Sequence, residues 1–147
     1  MKPYAISRRD LYGGSDIVRS DPKPAKGAHW KQSIRAARLY ADQWAREWTK
    51  TRYPRCVTCG REPQEWAHVL SGKGDAVRWD INNMTRQCQR CTQLHESHPE
   101  HLNEWFMATY GWKSFVDLVA KSNVAVKFSY ANVMKIGDDL RRTVKAL

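Results

Sequence analysis

No run in this chain of 147 residues approaches the roughly 18 apolar positions that a membrane-spanning helix requires. The opening segment, MKPYAISRRDLYGG, also lacks the apolar core of a secretory signal, so a cytoplasmic location without membrane association is expected. No internal repeat is present, and the length suits one compact unit with appendages. Acidic residues are scarce: 15 Asp and Glu face 25 Lys and Arg, for a formal net charge of +10. Cysteine is scarcer still, at four. A reducing compartment excludes disulfides as the ordinary state of these thiols, so their spacing becomes the main clue.

The positive charge is uneven. Residues 1–50 hold 11 Lys/Arg against 5 Asp/Glu, residues 51–100 hold 7 against 6, and residues 101–147 hold 7 against 4. A field of this sign attracts polyanions and displaces counterions from a nucleic-acid backbone. Basic charge alone also fits a merely well-solvated protein, so it directs attention to nucleic acid without identifying it.

Residues 1–27 carry Pro3, Pro22, Pro24 and Gly13-Gly14 without apolar periodicity, which predicts a flexible basic arm. From Ala28 to about Lys50, Trp30, Ile34, Ala37, Ala41, Trp44 and Trp48 recur in steps of four and three, the stripe of one helix. Residues 53–96 lose that period and gain turn signals. Ser97-His98-Pro99-Glu100 has the form of a capping box, and Leu102, Trp105, Phe106 and Tyr110 continue a helix to a left-handed cap at Gly111. A short helix over about 114–121 and a last one from about Ser129 follow, the latter with Val133, Ile136, Leu140, Val144 and Leu147 on one face. The expectation is an α+β, mostly helical domain over 28–147: a helix, a small hairpin with a metal knuckle pair, and a helical tail from 97.

Cys56-Val57-Thr58-Cys59 and Cys88-Gln89-Arg90-Cys91 are two C-x-x-C knuckles separated by 28 residues. Each can offer two sulfurs to one tetrahedral ion, and together they complete the four-thiolate shell that zinc favours. An iron centre, a redox dithiol or simply buried thiols use the same residues. A closed four-thiolate site leaves no open coordination position, so a zinc held by Cys56, Cys59, Cys88 and Cys91 is structural.

Between the knuckles runs EWAHVLSGKGDAVRWDINNM, in which Asn83 follows His68 after 14 residues and Thr92 follows Asn83 after 8. This pattern resembles the HNH (ββα-metal) nucleases, whose motif is His, Asn, then His or Asn. It is similar more closely to phage recombination endonucleases of the NinG/Rap type, over Trp30 to Leu147: a helix before CVTCG, A-H at the hairpin, RWDINNM before QCQRC, a Y-G turn and a final basic helix. In layout it also resembles phage endonuclease VII, which likewise pairs zinc knuckles with an HNH site. The resemblance implies a metal-dependent DNA endonuclease, acting on branched recombination intermediates such as Holliday junctions in the host cytoplasm. HNH enzymes that nick or package ordinary duplex, and a zinc-binding DNA adaptor without catalysis, are the alternatives.

The resemblance also assigns roles. His68 becomes the general base, a task suited to a side chain that titrates near neutrality, and cleavage leaves a 5′-phosphate and a 3′-hydroxyl. Asn83 ties the hairpin loop to the strand bearing His68. The residue-level alternatives are a structural imidazole and a plain Asn82-Asn83 turn, with the register open by one. The third position is Thr92, whose hydroxyl oxygen is a poor substitute for an imidazole or carboxylate, and Ala67 stands where the family places a ligand; Glu65, Asp80, His95 and Glu96 are the candidate ligands for Mg2+ or Mn2+, or else plain surface residues. Lys31, Arg35, Arg38, Lys73, Arg78, Arg86 and Arg90 are the candidate contacts to DNA phosphates, or else a solvated basic face. Symmetric nicking of a junction implies a homodimer.

Overall fold

The computed structural model describes residues 33–71 and 74–147. The basic arm, Trp30, Lys31 and Lys73 lie outside the described residues. The architecture is α+β and mostly helical: α1 (Ile34–Arg52), β1 (Glu65–His68), a 3₁₀ turn (Gly74–Ala76), β2 (Met84–Gln87), α2 (Gln89–Ser97), α3 (Glu100–Tyr110), α4 (Trp112–Ser122) and α5 (Tyr130–Ala146). No helix among the described residues is long and apolar enough to cross a membrane.

The chain divides into two compact units, and α1 contributes to both. In the first, α1 up to Trp44 joins the segment from Phe128 to Ala146. Ala37, Tyr40 and Ala41 are buried there, as are Val133, Met134, Gly137 and Leu140 of α5. Tyr40 packs closely against Gly137: a Cβ at that glycine would stand 2.4 Å from Tyr40 Cδ1. Tyr40 Oη donates to Asp138 Oδ1 at 2.7 Å, so the buried phenol keeps a partner. Ser129 caps α5 through reciprocal bonds with Asn132, its hydroxyl accepting from Asn132 N at 3.1 Å and its own N–H donating to Asn132 Oδ1 at 3.0 Å. Of the stripe expected on α5, Val133 and Leu140 are buried, whereas Leu147 lies past the helix end and is exposed.

The second unit runs from Ala45 to Lys127. Pro54 disfavours helical geometry at Tyr53, so α1 stops at Arg52, with Lys50 and Arg52 in the last turn facing the negative end of the helix dipole. β1 and β2 form a two-stranded antiparallel sheet in the register Glu65–Gln87, Trp66–Arg86, Ala67–Thr85 and His68–Met84. The loop between the strands sends Val69 and Val77 inward to meet Leu102, Phe106 and Leu118, which packs the hairpin loop onto α3 and α4. Aromatic edges continue this core, with Trp105 and Tyr53 centroids 5.9 Å apart. Tyr53 and Tyr110 share a 2.8 Å hydroxyl bond, and burial, reinforced by that bond, raises the Tyr53 phenol well above its ordinary range.

Two local expectations are corrected. Ser97 does not cap α3: it is the last residue of α2, and its hydroxyl bonds back to Leu94 O at 3.3 Å. Pro99 takes the N-cap position of α3 without a side-chain cap, and Glu100 pairs with His98 instead. The cause is that α2 starts at the second knuckle and keeps its register through residue 97. Gly111 has positive φ as expected, but at φ 90° and ψ 159° it lies outside the left-handed helical region. That mirror-extended conformation is open to glycine, and it lets one residue end α3 and begin α4 with no linker between them.

Candidate functional site

The first knuckle is a tight turn in which Gly60 N donates to Cys56 O at 2.9 Å and Cys56 N to Arg61 O at 2.9 Å, with Gly60 at φ 77°. Backbone bonds dock it on β2: Val57 N to Arg86 O at 3.1 Å and Gln64 N to Gln87 O at 3.2 Å. Gln87 adds a side-chain tie, its amide donating to Thr58 Oγ1 at 2.7 Å. The second knuckle is continuous with α2, because Cys88 is that helix's N-cap and its Sγ accepts from Cys91 N at 3.5 Å.

These elements bring all four sulfurs within 4.8 Å of one another, with Cys59 and Cys88 at 3.6 Å. Four thiolates at the zinc bonding distance of about 2.3 Å would lie roughly 3.8 Å apart, whereas a disulfide requires about 2.05 Å. The geometry is that of a site able to hold one metal ion. Cys56, Cys88 and Cys91 are buried and Cys59 is exposed. Burial raises the Cys56 thiol, but backbone hydrogen bonds from Cys88, Cys59 and Thr58 outweigh it and bring it down to about 7. The Cys91 thiol is pushed up, by burial first and then by bonds to the neighbouring sulfurs.

The hairpin holds the remaining polar residues. Asn83 is fully buried. Its Oδ1 accepts from Leu70 N at 2.7 Å, and its Nδ2 donates to Leu70 O at 3.3 Å and Val77 O at 3.0 Å. One carboxamide thus pins the start and the middle of the loop to its end. Asn82 is exposed, and its backbone N–H donates to Asp80 Oδ1 at 2.9 Å. His68, half-buried at the end of β1, has Nε2 2.9 Å from Arg78 O. A carbonyl only accepts, so Nε2 carries the proton and the basic lone pair of the neutral ring is on Nδ1.

The other candidates are less convergent. Thr92 Oγ1 donates to Cys88 O at 3.1 Å, a bond within its own helix. Asp80 is engaged by Lys121 as well as by Asn82 N. Glu65 is half-buried opposite Gln87, and Glu96 is exposed. His95 is buried, and its Nδ1 has no hydrogen-bond partner. Among the described residues, the four cysteines are the only set of three or more His, Cys, Asp or Glu gathered to metal-binding distance. Arg35, Arg38 and Arg90 are exposed, and Arg78 and Arg86 half-buried.

Two residues not singled out in the sequence are drawn into this region, Trp66 beside His68 and Arg46 over Trp66. Trp66, two positions earlier on β1, has its ring centroid 4.6 Å from that of His68. Arg46 of α1 lies over the Trp66 ring at 5.3 Å, and Arg78 lies over it at 5.6 Å. The period of two along a strand could have pointed to Trp66; nothing local points to Arg46. No protein-family model, curated protein or solved structure matches the chain.

Proposed function

We propose that this chain is a zinc-stabilised DNA endonuclease of the HNH kind, in which Cys56, Cys59, Cys88 and Cys91 hold structural zinc and His68 is the general base. The observation that carries the reading is the bond from His68 to Arg78 O, which directs the basic nitrogen of a ring at the hairpin end to Nδ1. The three bonds of Asn83 support it by fixing the loop that supplies that carbonyl.

In this mechanism Nδ1 takes a proton from water, the water oxygen forms a bond to phosphorus, and the bond from phosphorus to the 3′ oxygen breaks. The 3′ oxygen leaves as a hydroxyl after gaining a proton, and the 5′ side keeps the phosphate. The chemistry a Mg2+ or Mn2+ would add is charge neutralisation at the phosphate and leaving oxygen. The described residues do not assemble a donor set for it: Thr92 and Asp80 are committed elsewhere and Ala67 offers no ligand atom.

Branched DNA is the proposed substrate and a homodimer the proposed assembly, since resolving a four-way junction takes two symmetric nicks. The test is cleavage of a labelled four-way junction and its matched linear duplex, with and without magnesium or manganese, by wild type and His68→Ala. Junction cleavage lost in His68→Ala, with folding and DNA affinity kept, is expected. Equal rates on the two substrates would refute junction selectivity and favour a duplex-nicking enzyme. Binding without cutting in every metal would favour a zinc-bound DNA adaptor, the reading that Ala67 and the committed Thr92 hydroxyl support.

A further inference from the structure

Core packing accounts for one side of α4. Leu118 and Ser122 are buried, and Phe115 packs against the cluster that holds Val69, Leu102 and Phe106. The side turned away from that core carries an apolar ridge with a spacing of four, Trp112, Val116 and Ala120. This ridge is bare: Trp112 is 67% exposed and Val116 44%. An indole left largely in water is apolar surface that burial against a partner would recover, and tryptophan is prominent among the residues that anchor such contacts. Its ring centroid lies 6.2 Å from that of Phe115, which ties it to the core at one edge.

The rim of the ridge points to the occupant. Lys113 and Asp117 flank it on the same side, both exposed, and neither makes an ion pair or hydrogen bond among the described residues. A lysine four residues ahead of an acid is the weaker orientation for pairing along a helix. Lys121, better placed for Asp117, is bonded to Asp80 instead. One helix face thus presents an apolar ridge, an unpaired cation and an unpaired anion, which is what a surface complementary to itself requires. In an antiparallel pair with its two-fold axis at Val116, each Trp112 meets Ala120 of the second copy, because both lie four residues from the axis and alanine leaves room for the indole. Like flanks face each other in that arrangement, so each Lys113 meets Asp117 of the second copy. A parallel pair would set this flank against the opposite one, which holds Phe115 and Val119, and leave both charges unmatched.

We infer that this face of α4 is where two copies of the chain associate, antiparallel and two-fold, through Trp112 and reciprocal pairs of Lys113 with Asp117. The inference gives the homodimer of the nuclease reading its surface, and it rests on that reading for the two-fold assembly. The helix has 11 residues and is about 16 Å long. A contact of that extent falls below the roughly 800 Å² per partner of a standard complex, so the dimer dissociates in the micromolar range.

The experiment follows the full zinc-loaded chain by analytical ultracentrifugation from about 1 µM to about 1 mM, with junction cleavage assayed alongside. Wild type is expected to pass from monomer to dimer within that interval. Trp112→Ala weakens the dimer at least about tenfold, as loss of a central anchor does. Lys113→Glu and Asp117→Lys, each alone, bring like charges together at two places and weaken it about as much. An equimolar mixture of these two variants regains wild-type association, because each copy then opposes the other's charges; a ridge that associates only through its apolar surface shows no such recovery. Wild type that stays monomeric, association indifferent to Trp112→Ala, or a mixture that does not recover each overturns the inference. Trp112→Ala that keeps its association and loses junction affinity makes the face a DNA contact and overturns it too. A monomer that cuts the junction removes the α4 dimer and retains the nuclease, whereas a dimer that dissociates as stated but never cuts removes the nuclease and retains the α4 face. Far-ultraviolet spectra identify any variant that has unfolded, and Val116→Lys then takes the place of Trp112→Ala.

Discussion

Replacing Asn83 by alanine removes one side chain and takes a bond from three backbone groups, of which Val77 O still accepts from Asp80 N at 3.3 Å. The Leu70 N–H loses its only recorded acceptor at 2.7 Å, and the carbonyls of Leu70 and Val77 lose a donor at 3.3 and 3.0 Å. A buried N–H left without an acceptor costs about 1–3 kcal/mol. The carbonyls lose less, because each keeps a second lone pair and tolerates under-satisfaction better. With no exposure at position 83, water cannot step in without opening the loop. Together these put Asn83→Ala at about 3 kcal/mol below wild type, a melting temperature lower by roughly 10 °C for a chain of this size. Asn83→Asp keeps an acceptor for Leu70 but sets a carboxylate oxygen against two carbonyls. It is destabilised further at neutral pH and regains stability in acid, where a protonated carboxyl again donates. Asn82→Ala is the control: its side chain is exposed and its only recorded bond uses the backbone, so it stays within about 0.5 kcal/mol of wild type. Thermal and urea melts of the zinc-saturated proteins decide it. An Asn83→Ala melt within about 2 °C of wild type, or an equal loss in Asn82→Ala, would refute the reasoning and the choice between the two asparagines.

If the four cysteines hold zinc as proposed, its chelation is expected to unfold the hairpin and knuckles, seen as loss of ellipticity together with all four thiols becoming reactive; a native spectrum with four reactive thiols would show that the metal contributes nothing to folding. Zinc binds thiolates and displaces their protons, and with Cys56 near 7 and Cys91 held high, affinity must weaken as pH falls from about 8 to about 6. A competition titration giving constant affinity across that interval would contradict this. Gly137→Ala gains up to about 1 kcal/mol of helix propensity, yet its methyl group meets the buried Tyr40 ring at 2.4 Å. Overpacking of that kind costs about 1–3 kcal/mol, so a lower melting temperature is expected and a higher one would show that the ring yields freely.

What the sequence made legible was whatever it encodes at short range or by metal chemistry. The steps of three and four over Ile34–Trp48 and Val133–Leu140 mark helices that form, because a buried stripe is a local periodic requirement. The knuckle spacing led to four sulfurs that do gather, since two residues between thiols already set their separation. Ser97 misled because the capping-box pattern is local, while the end of α2 is decided by a helix already growing from Cys88. The choice between Asn82 and Asn83 was invisible for the opposite reason: it depends on Leu70 and Val77, which are brought near only once the loop has folded. Arg46 is the extreme case. It is an exposed residue on a helix face, given a special environment by an indole 20 positions away.

Cys88 ends the turn after β2, supplies one of the four clustered sulfurs and caps the first turn of α2. These duties meet at one atom, so oxidising that sulfur would free a backbone donor at the helix start in the same event that removed a ligand. Damage there propagates along consecutive residues in both directions. A single residue added between Gln87 and Cys91 would rotate the helix away from the cluster by roughly 100°.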